Sequence, residues 1–160
     1  YKLIRGNVDT RINKLNQNLY DAVVLSLAGI NSLNLDKHIS EIFSIDEILP
    51  SVGQGVIALQ CKSDDEYIKN VLKKINDETT FKNVQAERNV LKVLEGDCET
   101  AVGAISVINN KNITLQGELF SLDGKERFYC KSSKGIKYAA ELGIEIGENL
   151  KKQSKGSYKK

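Results

Sequence analysis

Histidine is almost missing from this chain: of 160 residues, only His38 carries an imidazole. A histidine-based catalytic triad or a multi-histidine metal centre has little material to draw on, and no metal site is expected. Cysteine is scarce and scattered. Cys61, Cys98 and Cys130 lie far apart without a C-x-x-C spacing, so they read as reduced thiols of a cytosol-like compartment, not as a disulfide frame or zinc knuckle. Charge of either sign is hardly in excess. A formal net charge of +2 is too small to indicate nucleic acid or a membrane surface as partner. No apolar run approaches the length of a bilayer span, and the opening "YKLIRGNVDT" lacks a signal-peptide core. Tyr1 runs straight into a patterned segment, and the chain is expected to begin inside a larger protein.

What is present is ordinary globular material, 41% hydrophobic and 28% charged. "NVDTRINKL" reads as a short helix with Asn7 as N-cap and Asp9 in the first turn. "YDAVVLSLAG" is a continuous apolar run and predicts a buried strand of a parallel sheet. From Ile30 to the single proline, Pro50, short helices and turns are expected. "SVGQGVIALQCK" reads as a glycine loop leading into a second buried strand. "SDDEYIKNVLKKIN" follows as a helix, with Ser63 and Glu66 at capping-box spacing and Tyr67, Val71 and Leu72 on one side.

"TTFKNVQAERNVLKVLEG" predicts a helix that buries Phe81, Val84, Leu91 and Leu94 and ends at Gly96. Beyond it, "VGAISVI", "NITLQGELF" and "ERFYCKS" form an antiparallel meander, with Asp123-Gly124 as a hairpin signal. A helix over about 135–152 closes the unit, and the basic tail "KKQSKGSYKK" is expected to fray. The fold class is thus α/β and α+β: part of an α/β domain, then an α+β domain with a three-stranded antiparallel sheet.

Three stretches could carry chemistry. "RGNVDTR" brackets a helix start with Arg5 and Arg11. Exposed backbone N–H groups and two guanidinium forks would suit carboxylates or phosphates. Solvated arginines, or arginines paired with Asp9 and other acids, are the competing reading. "SVGQG" places Gly53 and Gly55 around Gln54. It reads as a strand-entry loop or hinge, and it lacks the lysine and spacing of a phosphate-binding P-loop. The third stretch is "VLEGDCETAVG". Cys61 and Cys130 fall inside predicted strands, but Cys98 lies on a loop among Glu95, Asp97 and Glu99. Acids raise a thiol pKa, and no local base or cation offsets them, which argues against a protease-type nucleophile. A surface thiol of no consequence and a covalent attachment point remain.

"RGNVDTRINKL", "YDAVVLSLAGI", "LPSVGQG" and "AERNVLKVLEGDC" occur in the order and spacing of the porphobilinogen deaminase (hydroxymethylbilane synthase) family, which the chain resembles from about Ile4 to near Leu150. The resemblance implies a transferase that joins four porphobilinogen molecules head to tail, with loss of ammonia, into hydroxymethylbilane for haem and related pigments. It implies a dipyrromethane cofactor held by a thioether to Cys98. Deamination of an aminomethylpyrrole gives an electrophilic azafulvene to which a soft thiol adds. The resemblance also assigns Arg5 and Arg11 to the acetate and propionate groups of cofactor and substrate, and Gln54 to the border of that cleft. Departures from the family pattern are Asp97 for glycine, Ala101 for proline and Ser32 for an arginine that contacts carboxylates.

The resemblance further implies a partial periplasmic-binding-protein-like α/β domain. In it, residues 1–50 end the second domain, 51–77 return as a crossing strand and helix to a first domain, and 78–160 form the C-terminal domain. The catalytic aspartate would precede Tyr1, leaving no catalytic residue in this chain and making it inactive alone. A missing N-terminal domain is then the expected partner. The strand "GVIALQC", without its sheet, is expected to dimerise, exchange or disorder. The alternatives are a non-catalytic anion-binding module using Arg5 and Arg11, and a remnant that needs a separate N-terminal chain.

Overall fold

A computed structural model describes residues 2–97 and 99–159. The chain divides into two compact units, Tyr1–Ser44 and Ile45–Lys160, each described by itself.

The first unit is built on two short helices, α1 (Val8–Asn16) and α2 (Leu27–Ser32). Asn7 occupies the N-cap position of α1 with extended backbone (φ −69°, ψ 172°), but its side chain makes no capping bond. Asp9 stands in the first turn, where an acid complements the helix dipole. Ile12 is the buried residue of α1. The run expected as a parallel strand differs. Residues 22–26 are neither helix nor strand, Val24 is 75% exposed, and the next residues turn into α2 with Ser26 Oγ accepting the Gly29 amide. A β-branched apolar run becomes a strand only where a neighbour completes its ladder, and among the described residues none pairs with it.

The second unit carries α3 (Glu66–Lys73), α4 (Glu78–Leu94), β1 (Val102–Asn109), β2 (Asn112–Phe120), β3 (Arg127–Gly135) and α5 (Ala139–Ser154). Residues 56–61 also fail to form the expected strand, and Ile57 is 89% exposed. The reason is the same: the one sheet described has the order β1-β2-β3, and this run is not in it. Helix α3 is capped by Asp65, whose carboxylate accepts the Ile68 amide at 2.9 Å. The Ser63 capping box is thus replaced by a cap two residues later, and Tyr67 and Val71 remain exposed.

The meander forms as expected. Its strands pair in the registers Val102↔Leu119 and Glu118↔Tyr129. Asn110, in the first connection, takes a left-handed conformation (φ 56°) that asparagine tolerates. In the second, Asp123 Oδ1 accepts both the Ser121 hydroxyl and the Lys125 amide, and Gly124 has φ 70°. Alternate residues of β2, Ile113 and Leu115, are fully buried in one core with Ala86, Val90 and Leu94 of α4 and Leu142, Ile146 and Leu150 of α5. The buried stripe of α4 is therefore rotated from the expected one: Phe81 is exposed, and only Leu94 is common to both sets.

The tail does not fray. Tyr158 is 4% exposed within the core, and Ser157 O accepts the Leu122 amide at 3.0 Å. A single aromatic ring that finds a pocket outweighs the entropy of ordering a few polar neighbours. No helix among the described residues is long and apolar enough to cross a membrane.

Candidate functional site

Helix α1 gathers both sequence-predicted arginines at its start. Arg11 Nε donates to Gly6 O at 2.7 Å, turning the guanidinium back toward the loop that precedes the helix. Lys14 Nζ donates to Arg5 O at 2.8 Å and ties that loop down from the next turn. Arg5 is exposed and Arg11 half-buried. Among the described residues neither makes an ion pair. Of the competing reading, the Arg–Asp9 pair is absent among the described residues, Asp9 Oδ1 accepting the Thr10 amide at 2.7 Å, while the exposed Arg5 fits its other arm, a solvated arginine. The result is a small basic surface at a helix N-terminus. Its fork geometry and dipole favour carboxylates.

Gln54 belongs to the second unit and is exposed. Its loop is rigidly seated. Gly53 and Gly55 have φ of 67° and 77°, and Gln54 N donates to Ser51 O at 3.0 Å. Two buried carboxylates that sequence reasoning did not single out fasten this segment to the sheet. Glu87 Oε2 accepts the Gly53 amide at 3.1 Å. Its Oε1 accepts the Ser106 amide and hydroxyl, each at 2.9 Å. Glu118 Oε1 accepts the Leu49 amide at 3.3 Å, and its Oε2 accepts Arg127 Nε and Nη2, both at 2.8 Å. Ala104 N, donating to Pro50 O at 3.0 Å, and a Ser51↔Gly103 bridge complete the attachment. One sequence signal was available for Glu87: it stands one turn before Val90 on the stripe that α4 buries.

Cys98 lies outside the described residues, but the segment on either side of it is defined. Helix α4 ends with Glu95 in the left-handed region (φ 55°), one residue before the glycine expected to take that role. Gly96 serves a different need. A Cβ there would meet Leu91 Cδ1 at 2.6 Å and Thr100 Oγ1 at 3.2 Å. Asp97 Oδ1 accepts the Glu99 amide at 2.8 Å, and Thr100 Oγ1 accepts the Asp97 amide at 3.1 Å. Asp97 is thus bonded through its amide to Thr100 and through its carboxylate to Glu99. Part of its charge is spent on a backbone N–H.

The other two cysteines are half-buried. Burial, and next the Glu145 carboxylate, push the Cys130 thiol above its ordinary value, which keeps it protonated and inert. Among the described residues no group of histidine, cysteine and carboxylate side chains could hold a metal ion.

The described residues thus hold an antiparallel α+β unit, with an arginine-framed helix start and a glycine loop earlier in the sequence. Comparison with known proteins identifies the family. The pattern described as "Porphobilinogen deaminase, dipyromethane cofactor binding domain" matches residues 1–70, and that described as "Porphobilinogen deaminase, C-terminal domain" matches residues 81–152. The chain is 37% identical over 153 residues to the porphobilinogen deaminase of Prochlorococcus marinus (strain MIT 9515), covering 96% of this chain and 48% of that protein. It is 38% identical over 154 residues to that of Brevibacillus brevis, covering 96% and 49% respectively. The chain belongs to the porphobilinogen deaminase family, and it spans about half the length of the curated relatives it matches. Arg5, Arg11 and Gln54 fall within the cofactor-binding match and Cys98 within the C-terminal match.

Proposed function

We propose that this chain is the cofactor-bearing part of a porphobilinogen deaminase, with dipyrromethane attached through a thioether at Cys98. In the complete enzyme the free end of that cofactor is extended by porphobilinogen units. Each addition forms one carbon–carbon bond and releases one ammonia, and the finished hydroxymethylbilane is cleaved off by water.

The observation that carries this reading is the double family match, over residues 1–70 and 81–152, in a chain that carries Arg5 and Arg11 at a helix start and Cys98 beyond α4. The donor set fits the group. Guanidinium forks suit the acetate and propionate of each pyrrole, and a once-only thioether does not need a thiolate of lowered pKa. Gln54, on a loop fixed by Glu87, borders the same ligand in this reading.

Residues 1–50 are the end of a periplasmic-binding-protein-like α/β domain in this proposal. Residues 51–77 belong with a first domain, and 78–160 form the C-terminal domain. The unpaired apolar residues Val24, Ile57 and Leu59, all exposed, support completion by further chain, and a second copy pairing through residues 56–61 is the competing occupant. The curated relatives are about twice as long; in this reading the general acid lies in their other half, so residues 1–160 alone turn over no porphobilinogen and act, in the cytoplasm, only together with it.

Co-expression with the remaining half of the Brevibacillus brevis relative tests the proposal. The expected result is a mass gain of two pyrrole units on this chain, abolished by Cys98→Ser, and porphobilinogen consumption by the pair but not by the chain alone. An adduct that persists in Cys98→Ser, or no adduct at all, overturns it. Reversible carboxylate binding without any adduct would favour an anion-binding module instead.

A further inference from the structure

The last three residues before the glycine that leads to Cys98 are each tied to the C-terminal segment. Backbone carbonyls in a helix's final turn have no intrahelical partner, and here two of them are met by distant side chains. Tyr158 Oη donates to Leu94 O at 3.0 Å, and Lys151 Nζ donates to Val93 O at 3.3 Å. The Glu95 carboxylate lies between two ammonium groups, Lys159 Nζ at 2.5 Å and Lys151 Nζ at 3.7 Å. Lys159 also stands over the Tyr158 ring, 5.8 Å from its centroid. Tyr158 and Lys159 share the wall of one surface pocket with Glu95, Asp97, Glu99 and Thr100, residues on both sides of the cysteine position.

These contacts do more than end a helix. Water can solvate exposed carbonyls at a helix end, and Glu95 already closes α4 in the left-handed conformation. The tail adds direction and charge. A buried tyrosine fixes the exit point of the segment, and two lysines offset the acid nearest the helix. Without them, three acids would crowd a tether meant for a polyanion.

We propose that Tyr158 and Lys159 are positioning residues for Cys98, forming a clamp from the C-terminal segment that sets the path and local charge of the cofactor-tethering loop. The proposal rests on the cofactor reading above. Its test does not, because it needs no pyrrole.

The full chain is compared with Tyr158→Phe, Lys159→Gln and Lys159→Arg. Amide exchange is followed peptide by peptide, and Cys98 alkylation by mass spectrometry with Cys61 as internal reference. Tyr158→Phe is expected to speed exchange over residues 95–101 by about tenfold, the worth of one hydrogen bond, with residues 113–119 of β2 unchanged. Lys159→Gln is expected to lower the ratio of iodoacetate to iodoacetamide reactivity at Cys98 by about threefold, the scale of one exposed charge pair. Lys159→Arg should restore the ratio. Unchanged exchange and unchanged ratio overturn the clamp, and so does equal acceleration in β2, which would mean general loosening. If these shifts appear while co-expression yields no pyrrole adduct, the cofactor reading fails and the positioning of Cys98 stands.

Discussion

Glu87 reaches from the middle of α4 to the backbone of Gly53, accepting its amide at 3.1 Å, while its other oxygen holds Ser106 on β1. One buried carboxylate thus joins helix, sheet and glycine loop, and the position of Gln54 depends on it. Three donors converge on the group, and hydrogen bonds to a charged acceptor are worth about 1.5–3 kcal/mol each. Glu87→Ala is expected to cost about 3 kcal/mol or more by urea unfolding followed by circular dichroism. Glu87→Gln keeps the shape but turns an N–H₂ toward one of the donors, and should cost about 1–2 kcal/mol. In both variants exchange over residues 52–55 should accelerate more than in β2.

Helices α4 and α5 approach so closely at Gly143 that a Cβ there would meet Ala86 O at 2.1 Å and Asn89 Cβ at 2.8 Å. Alanine is the better helix former by about 1 kcal/mol, yet the clash is with backbone and cannot be relieved by a rotamer. Gly143→Ala is expected to destabilise by about 3 kcal/mol. Gly124→Ala is the control. A Cβ there meets nothing within 4 Å, so only the positive φ penalises it, by about 1 kcal/mol. Equal losses in the two variants would contradict the close-approach argument.

The contrast among these residues shows what could be read in the sequence. Strands and turns of the meander were legible because alternation and Asn/Asp-Gly chemistry are local, and so was α4, whose periodicity is long. "YDAVVLSLAG" and "GVIALQC" misled because an apolar run states a wish for burial, not the presence of the strand that would satisfy it. Tyr158 looked like part of a basic tail, since nothing nearby in sequence reports the Leu94 carbonyl that it reaches. That Arg5 and Arg11 flank a helix start was legible, because Asn7 and Asp9 mark that start locally. The tie between Gly53 and Glu87 was not legible, because it joins residues 34 apart through a backbone amide.

Arg127 is half-exposed, but its partner Glu118 is buried, with side-chain exposures of 51% and 6%. Removing the arginine leaves a desolvated carboxylate with only the Leu49 amide. Arg127→Met is therefore expected to cost about 2 kcal/mol, less than a fully buried pair because water can enter from the arginine side. The double variant Glu118→Gln/Arg127→Met should recover part of that loss. A double-mutant cycle reads the coupling directly, and strictly additive effects would show that the pair contributes nothing beyond its separate contacts.

Acid should weaken this fold through four identifiable carboxylates. Asp77 is held below its ordinary range by the Thr80 amide, Glu95 by Lys159, Asp123 by the Ser121 hydroxyl and Glu145 by Lys134. A carboxyl group with a lower pKa folded than unfolded stabilises the fold fully above its unfolded value, near about 4, and loses that contribution as pH falls through the folded one. Lys159 shifts upward, chiefly through its bond to Glu95. Its contribution is present below the ordinary lysine range and disappears only as pH rises past the folded value. The urea midpoint is thus expected to stay level between about pH 6 and 9 and to fall below about pH 5. Asp77→Asn combined with Glu145→Gln should flatten the acid limb, because asparagine can still cap α4 while neither new side chain titrates. An acid limb of unchanged steepness in that variant would show that the pH dependence comes from other groups.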